Sequence, residues 1–164
     1  MGVIRLSNIC SVYQVHPVLD ASVRTLCRLP YPGHVHGCPN FAKKEGCPPK
    51  APMLHRYLDL AQPVFAVVHE FDFAGHVERM KAAHPTWSDR QLRCCLYWQG
   101  GARKLWKVGI KEFLWSHPGY TAVACPEAQG VIITETMRLV GVDLEWPPVK
   151  VARQVALCGV RLRE

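Results

Sequence analysis

Hydrophobic residues along the chain fall into short apolar runs that alternate with amphipathic segments, a pattern typical of an α/β domain. The apolar run PVFAVVHEF, at 63–71, predicts a buried strand. The segment FAGHVERMKAA, at 73–83, predicts a helix that ends near His84. Ser88 is a suitable N-cap for a second helix that reaches His117. The centre of the chain is therefore predicted as strand, helix and longer helix.

Weaker patterns supply the remaining elements. Gly100 and Gly101 predict an interruption in the second helix, and Gly141 predicts the end of a later one. Because strands alternate with helices, we predict a single α/β domain over 1–164, with a small mixed or parallel sheet and flanking helices. The other predicted elements are strands at 3–15, 120–126, 142–146 and 155–162, and helices at 21–27, 53–60 and 127–141.

One segment, at 28–52, is too rich in proline and glycine to sustain a strand or a helix. A loop of that length inside a compact domain is uncommon unless it is functional or held in place. The loop contains Cys38 and Cys47, each directly before a proline. A metal bound by these thiols would hold the loop, so we predict a long Pro/Gly/Cys-rich metal-binding loop.

Composition limits the class of protein. With 164 residues, 49% of them hydrophobic and 20% charged, the chain is neither disordered nor collagen-like. Its first residues lack the features of a signal peptide, and no apolar run of about eighteen residues occurs. We therefore expect a cytoplasmic protein that does not cross a membrane. In that compartment the eight cysteines would stay reduced, so those with a shared role are metal ligands or nucleophiles.

Four cysteines are the predicted ligands: Cys27, Cys38, Cys47 and Cys125. Three cysteines of the chain precede proline, whereas random placement of its thirteen prolines predicts fewer than one such pair. Proline favours an extended conformation in the residue before it, so a Cys-Pro pair holds its sulfur stiffly. Cys27 opens the loop, and Cys125 ends a predicted strand, where open α/β sheets place their ligands.

The spacing of these cysteines bears on the metal. No CxxC pair occurs, which disfavours an ordinary zinc knuckle. Widely spaced thiols suit an iron–sulfur cluster of the four-iron, four-sulfur (4Fe-4S) type at least as well, while Zn²⁺ stays the alternative. His34 and His36 could replace one sulfur, although exposed histidines without a metal are the simpler interpretation. Glu127, two residues after Cys125, is a carboxylate that we place near the site, as either a catalytic base or an ordinary first-turn glutamate.

The other four cysteines have different predicted roles. Cys10 and Cys158 lie in apolar, strand-like segments and are predicted to be small buried hydrophobic residues. Cys94 and Cys95 are adjacent on the predicted second helix, so they point to different faces and do not readily share an ion.

Basic residues indicate a partner. The formal net charge of +7 suits RNA, a nucleotide or another anionic substrate, and solubility alone also explains it. The second helix carries a basic stripe, with aromatic residues between the cations, as surfaces that bind single-stranded nucleic acid do. The plainer interpretation, which we favour, is that its tryptophans face the core and its charges face water. The residues of the stripe are Arg103, Lys104, Lys107 and Lys111.

Two stretches of the loop, CRLPYPGHVHGCPN at 27–40 and GCPPKAP at 46–52, resemble the bacterial and archaeal predicted metal-binding proteins of unknown function. The segment at 125–146 is similar to the tail of that family, with a Cys-Pro, a helix and a Gly-Val-Asp element. Members usually have a further CxxC-like cluster, where this chain has only Cys94 and Cys95. The resemblance implies metal binding and no particular reaction.

Two classes of function follow. In the first, the chain is an iron–sulfur protein. With four cysteine ligands the cluster transfers electrons or is structural. With three, one iron stays open for sulfur transfer, desulfidation, lyase or other Lewis-acid chemistry on a nucleobase, tRNA or other anionic substrate. In the second, it is a zinc-stabilised nucleic-acid-binding module without catalysis. The sequence leaves open whether the chain is an enzyme. It contains no Walker loop, GxGxxG, GxSxG or HExxH motif.

Overall fold

A computed structural model describes residues 4–5, 9–31 and 34–162 as one α/β domain. Four α-helices are present in this part of the chain, together with short 3₁₀-helices. The strands are β1 (Ile4–Arg5), β2 (Cys10–Val15), β3 (Val64–Asp72), β4 (Tyr120–Val123) and β5 (Val151–Val160). The helices are α1 (Phe73–Ala83), α2 (Asp89–Leu92), α3 (Gln99–Ser116) and α4 (Ile133–Arg138). The 3₁₀-helices are Ala21–Arg28, Leu54–Arg56, Cys95–Tyr97 and Pro126–Gln129.

The strands form one sheet in the order β1-β2-β3-β5-β4. The predicted α/β class and flanking helices are confirmed, but the predicted mixed or parallel pairing is wrong, because every described pair is antiparallel. The reason lies in the order of the strands. Helices α1 to α3 do return the chain so that β4 runs parallel to β3, as alternation predicts. However, β5 lies between these two strands and pairs antiparallel with both.

Each face of the sheet buries its own apolar cluster. Helix α3 covers one face, where Trp106, Ile110 and Phe113 pack against Val67 and neighbouring strand residues. The indole N–H of Trp106 donates to the backbone carbonyl of Val67 at 3.2 Å, so this buried ring has its polar atom satisfied. The opposite face packs on the segments around Leu54–Arg56 and α4.

The long second helix predicted from Ser88 to His117 is broken. Ser88 does cap a helix, through a capping box with Gln91, but α2 ends at Leu92. The chain extends at Cys94, forms one 3₁₀ turn, and begins α3 at Gln99. Gly100 and Gly101 therefore lie in the first turn of α3 and not at the break. At the break, Trp98 stacks on Phe71 with ring centroids 5.1 Å apart, a contact that an unbroken helical pattern does not reveal.

Three further segments differ from prediction. The helix predicted over 127–141 divides into Pro126–Gln129 and α4, because Gly130 takes the left-handed conformation with φ of +79°. Segment 142–146 is not a strand, and segment 53–60 forms only the short 3₁₀-helix. Gly141 follows α4 with φ of +77°, as its predicted role at the helix end requires. The predicted strand at 3–15 appears as β1 and β2, and its residues 3 and 6–8 lie outside the described residues. No helix in the described ranges is long and apolar enough to span a bilayer.

Candidate metal centre

The four predicted ligand cysteines line one cavity of about 540 Å³. Two of them lie within the loop, one lies in the helix before it, and one follows β4, so the cavity joins segments far apart in sequence. Tyr57 and Gln129 also line its walls. The structure thus brings together the set of thiols that the Cys-Pro pattern selected, while their binding of a metal stays a prediction.

Cys27 and Cys38 are joined directly through the backbone. The N–H of Cys38 donates to the carbonyl of Cys27 at 2.8 Å. Gly37, between them in space, has φ of +80°, and a Cβ at that position would lie 2.7 Å from the same Cys27 oxygen. Only glycine permits both the left-handed backbone and this approach. In the sequence GCP at 37–39, the backbone geometry therefore requires the glycine, just as the predicted metal site requires the cysteine.

Cys47 is held by a compact turn at the end of the loop. Its N–H donates to the carbonyl of Lys44 at 3.1 Å, and its own carbonyl accepts the N–H of Ala51 at 2.9 Å. Arg24, in the 3₁₀-helix that carries Cys27, donates to the carbonyls of Pro49 at 3.2 Å and Ala51 at 2.8 Å. This guanidinium connects the beginning of the loop to its end, which fixes Cys47 relative to Cys27.

Cys125 reaches the cavity from the sheet. It follows β4, and its carbonyl accepts the N–H of Ala128 at 3.1 Å as the 3₁₀-helix Pro126–Gln129 begins. The N–H of Asp20 donates to the carbonyl of Gly130 at 2.8 Å. Since Asp20 caps the helix that carries Cys27, this bond holds the helix against the segment after Cys125. The fourth thiol is therefore positioned by long-range backbone contacts and not by the loop.

The thiols perturb one another. Burial raises the pKa of Cys27, and the neighbouring Cys38 and Cys47 raise it further. The pKa of Cys125 is raised to about 11, first by burial, then by the carboxylate of Glu127, and also by Cys27 and Cys47. The surface of Cys125 is exposed to solvent, but it lies on a concave wall where protein atoms surround it, so its thiolate is poorly hydrated. The raised pKa values favour the neutral thiols, and a bound cation would offset the repulsion between the thiolates.

The donor set fits a thiophilic metal. Soft thiolate ligands select zinc, copper(I) and iron–sulfur clusters over magnesium or calcium. Within residues 4–5, 9–31 and 34–162, no three His, Cys, Asp or Glu side chains are grouped closely enough to hold a single metal ion. The support for a metal is thus the shared cavity and the thiol–thiol interactions, and not a completed coordination shell.

Glu127, the predicted catalytic candidate, lies beside the fourth thiol. The Sγ–H of Cys125 donates to Glu127 Oε2 at 3.9 Å, a long contact. Burial raises the pKa of the Glu127 carboxyl. Glu127 does not line the cysteine cavity; it lines a neighbouring cleft that also contains Arg103. Glu127 lies in the first turn of the 3₁₀-helix Pro126–Gln129, as the ordinary interpretation predicts, while its role as a catalytic base stays a prediction.

His34 and His36 are not grouped with the four thiols. Both side chains are exposed and line a second depression, which shares Cys38 but none of the other three thiols with the cysteine cavity. Because they do not line the cysteine cavity, the structure gives no support to histidine in place of a sulfur ligand.

The remaining cysteines also lie elsewhere. Cys10 and Cys158 are buried in the cluster beneath α3, which confirms their predicted burial. Cys94 and Cys95 lie at the break between α2 and α3, and neither lines the cavity. No role for this pair follows from the structure.

The basic stripe is exposed along α3. None of its four side chains forms an ion pair with another described residue, whereas Arg93, Arg138 and Arg153 do. The interpretation that we favour is that the tryptophans of this helix face the core. It holds for Trp106, which is buried, but not for Trp115, which is 92% exposed. The stripe consists of Arg103, Lys104, Lys107 and Lys111.

Sequence reasoning missed Gln129, a polar wall residue of the cysteine cavity. Its side chain is buried, and its Oε1 has no hydrogen-bond partner among the described residues. Gln129 directly precedes Gly130, and both follow the CPE of Cys125. This unsatisfied acceptor beside the thiols would be available for a hydrogen bond from a group bound in the cavity.

Comparison of the chain with protein-family models, with curated proteins and with solved structures gave no match. The resemblance to predicted metal-binding proteins therefore stays a prediction that depends on the Cys-Pro segments alone.

Proposed function

We propose that the protein holds an iron–sulfur cluster of the 4Fe-4S type in the cavity formed by Cys27, Cys38, Cys47 and Cys125. One observation carries the proposal: four thiols from three separate segments line a single cavity of about 540 Å³. A cluster with several irons accepts thiolates at separate points, which suits ligands that do not converge on one centre. Zn²⁺ is the alternative occupant, because it accepts the same donor set.

The chain would supply more than ligands. The thiols that act as ligands must lose their protons to bind, so loading is favoured by rising pH and releases protons. Arg24 holds the two ends of the loop together, so the protein limits the entropy lost on binding. The buried Oε1 of Gln129, on the cavity wall, could accept a hydrogen bond from groups that surround a bound cluster.

Cys125 decides between two functions. It is solvent-exposed, and it is the only one of the four that lies outside the helix and loop at 21–52. If only the other three thiols are ligands, a bound cluster would leave one iron open for sulfur transfer or Lewis-acid chemistry. We favour this enzymatic arrangement, because Glu127 beside Cys125 provides a proton-transfer group next to an open position. If all four are ligands, electron transfer follows.

Substitution of single cysteines tests the ligand set. Cys27→Ala, Cys38→Ala or Cys47→Ala should each remove most of the bound iron from anaerobically purified protein. Cys95→Ala, an exposed thiol outside the cavity, should leave the iron content unchanged. Equal iron in all four variants would show that the cavity thiols are not the ligands.

Cys125→Ala separates the open from the closed arrangement. An open position predicts that this variant keeps its cluster, with a changed electron paramagnetic resonance spectrum in the reduced state. Loss of the cluster would instead identify Cys125 as a structural ligand and favour electron transfer. Iron and acid-labile sulfide, measured per chain on the same samples, distinguish the two results.

The second candidate is a zinc-stabilised module that binds RNA, and the unpaired cations of α3 favour it. Lys107→Glu combined with Lys111→Glu should weaken the binding of a single-stranded oligoribonucleotide and reduce its dependence on salt. Arg56→Glu with Lys81→Glu provides a control of equal charge away from the stripe. Stoichiometric zinc in a colourless protein, together with such binding, would replace the iron–sulfur proposal.

A further inference from the structure

A second, smaller cleft of about 230 Å³ lies next to the cysteine cavity, at the edge of β5. Strand β4 is short and pairs only with residues 157–160 of β5, so it leaves residues 151–156 uncovered on that side. Residues 152–155 form the floor of the cleft. Ala124 lines both spaces, and Glu127 of the cleft contacts Cys125 of the cavity.

Tryptophan rings provide the walls of this cleft. Trp98, Trp106 and Trp146 all line it, although the chain has only five tryptophans. Trp98 is fixed by stacking on Phe71, and Trp106 is fixed by its bond to Val67. Trp146 is 90% exposed, so its indole ring has no packing role that would explain it. Rigid and exposed aromatic rings around one cleft form a surface on which a planar ligand stacks.

The charges of the cleft show which cation is free to bind a ligand. The Glu145 carboxylate accepts the backbone N–H groups of Val149, Lys150 and Val151, at 2.8, 2.7 and 3.3 Å. Arg153 is paired with Glu70 at 2.7 Å. Arg103 has no ion-pair partner among the described residues, and it begins the basic stripe along α3. An anionic group at the mouth of the cleft would therefore meet Arg103 first.

Two buried polar atoms of the cleft residues have no partner. The indole N–H of Trp98 is an unsatisfied donor, and Gln154 Oε1 is an unsatisfied acceptor, within the described part of the chain. Of the six such atoms in the described part of the chain, these two belong to residues of one cleft, where a polar ligand would satisfy them. A heterocyclic base carries both donors and acceptors on its edge.

From these observations we infer that the cleft binds one nucleotide unit, with its base stacked among Trp98 and Trp146 and its phosphate on Arg103. Pockets that enclose a whole drug-sized ligand occupy about 300–1,000 Å³. A cleft of about 230 Å³ is smaller, so it accommodates a ring system while the sugar and phosphate remain outside. The nucleotide is either free or part of an RNA chain that continues along the stripe of α3.

This inference deepens the proposed function, since a base in the cleft would lie beside Glu127 and the cysteine cavity. It does not require a metal in that cavity, because none of the residues that contact the base is a cysteine. The nucleotide would be the substrate on which the neighbouring centre acts.

Isothermal titration calorimetry on the full chain tests the inference, with the four ribonucleoside 5′-monophosphates and a hexauridylate as probes. Trp146→Ala and Arg103→Gln should each lower the affinity by about tenfold, the scale of one stacked base or one charged contact. Trp115→Ala is a matched control, since Trp115 is 92% exposed against 90% for Trp146 but lies outside the cleft. Arg90→Gln is the matched control for Arg103, since Arg90 is exposed on α2 and lies outside both the cleft and the stripe. Both controls should change the affinity by less than about twofold.

The outcomes separate the alternatives. Similar affinities for monophosphate and oligonucleotide identify a free nucleotide as the ligand, whereas much tighter oligonucleotide binding that still depends on Trp146 identifies RNA. No binding of any probe, or equal losses in Arg103→Gln and Arg90→Gln, would overturn the inference. Metal content is measured on every sample. Loss of nucleotide binding with metal retained counts against the cleft alone. Nucleotide binding without bound metal counts against the cysteine centre alone.

Discussion

Two sets of cysteines in this molecule lie in different surroundings, one in the apolar core and one around an open cavity. Cys10 and Cys158 lie beneath α3, and burial, the largest cause, raises their pKa values to about 11 and about 12. Cys27 and Cys125 line an open cavity, and there neighbouring thiols contribute to the raised pKa values. The difference shows that neighbouring thiols, and not burial, distinguish a group of candidate ligands from cysteines that only fill space.

Each set depends on one glycine that permits close approach. A Cβ on Gly37 would lie 2.7 Å from the Cys27 carbonyl oxygen, in the cavity set. A Cβ on Gly109 of α3 would lie 2.2 Å from the Sγ of Cys10, in the core set. Substitution at these two positions therefore perturbs one set of thiols at a time.

The largest effect is expected from Gly37→Ala. The substitution forces a side chain into the left-handed region and against backbone atoms, and each of these costs about 1–3 kcal/mol. The link between Cys27 and Cys38 should be disrupted, so bound metal should fall by more than about half, together with the free energy of unfolding. Gly141→Ala is the control, because Gly141 also has a left-handed backbone, but a Cβ there has no atom within 4 Å and the residue lies outside the cavity. Equal metal content in the two variants would contradict the role given to the Cys27–Cys38 link.

A smaller effect, confined to stability, is expected from Gly109→Ala. The added methyl overpacks α3 against Cys10 and should lower the free energy of unfolding by about 1–3 kcal/mol in urea titrations. Adding Cys10→Ala should recover part of that loss, since the nearest clashing atom is the Cys10 sulfur. Metal content should stay unchanged in both variants. A loss of metal would show that the core and cavity sets are coupled.

The smallest effect concerns pH. The thiol of Cys158 has a pKa near 12 in the fold, against 9.0 for an ordinary thiol. Because the folded value is the higher one, its stability contribution is complete below pH 9 and is lost as pH rises toward 12. Between pH 8 and pH 10 this should cost about 1 kcal/mol of unfolding free energy. Cys158→Ala should show a correspondingly shallower decline than Cys95→Ala, and identical slopes would contradict the account.

Local signals predicted the local parts of the fold. The helix at 73–83 appears as α1, and the apolar run at 63–71 appears in β3, because periodicity and burial agree in both. The direction of the strands was not predictable in the same way. Alternating strands and helices do not reveal whether a strand from later in the chain lies between two earlier ones in the sheet. Strand β5 does so, because it lies between β3 and β4. Likewise, only tertiary contacts such as the stack of Trp98 on Phe71 reveal the break before α3.

The cysteine site was more predictable than the cleft. Cys-Pro pairs mark stiff sulfur positions, and the structure places Cys38, Cys47 and Cys125 in one cavity with Cys27. The cleft depends on Trp146 and Gln154, which no local motif connects, and on the place where β4 stops. That information arises from the register of the sheet, so it is visible only in three dimensions.

The central claim is that the cavity lined by the four thiols holds an iron–sulfur cluster. The most direct test is anaerobic purification, followed by measurement of absorption near 400 nm with iron, zinc and acid-labile sulfide per chain. The account predicts a brown protein with about four irons and a matching amount of sulfide. Stoichiometric zinc without iron or sulfide would contradict it and would make the cavity a structural zinc site.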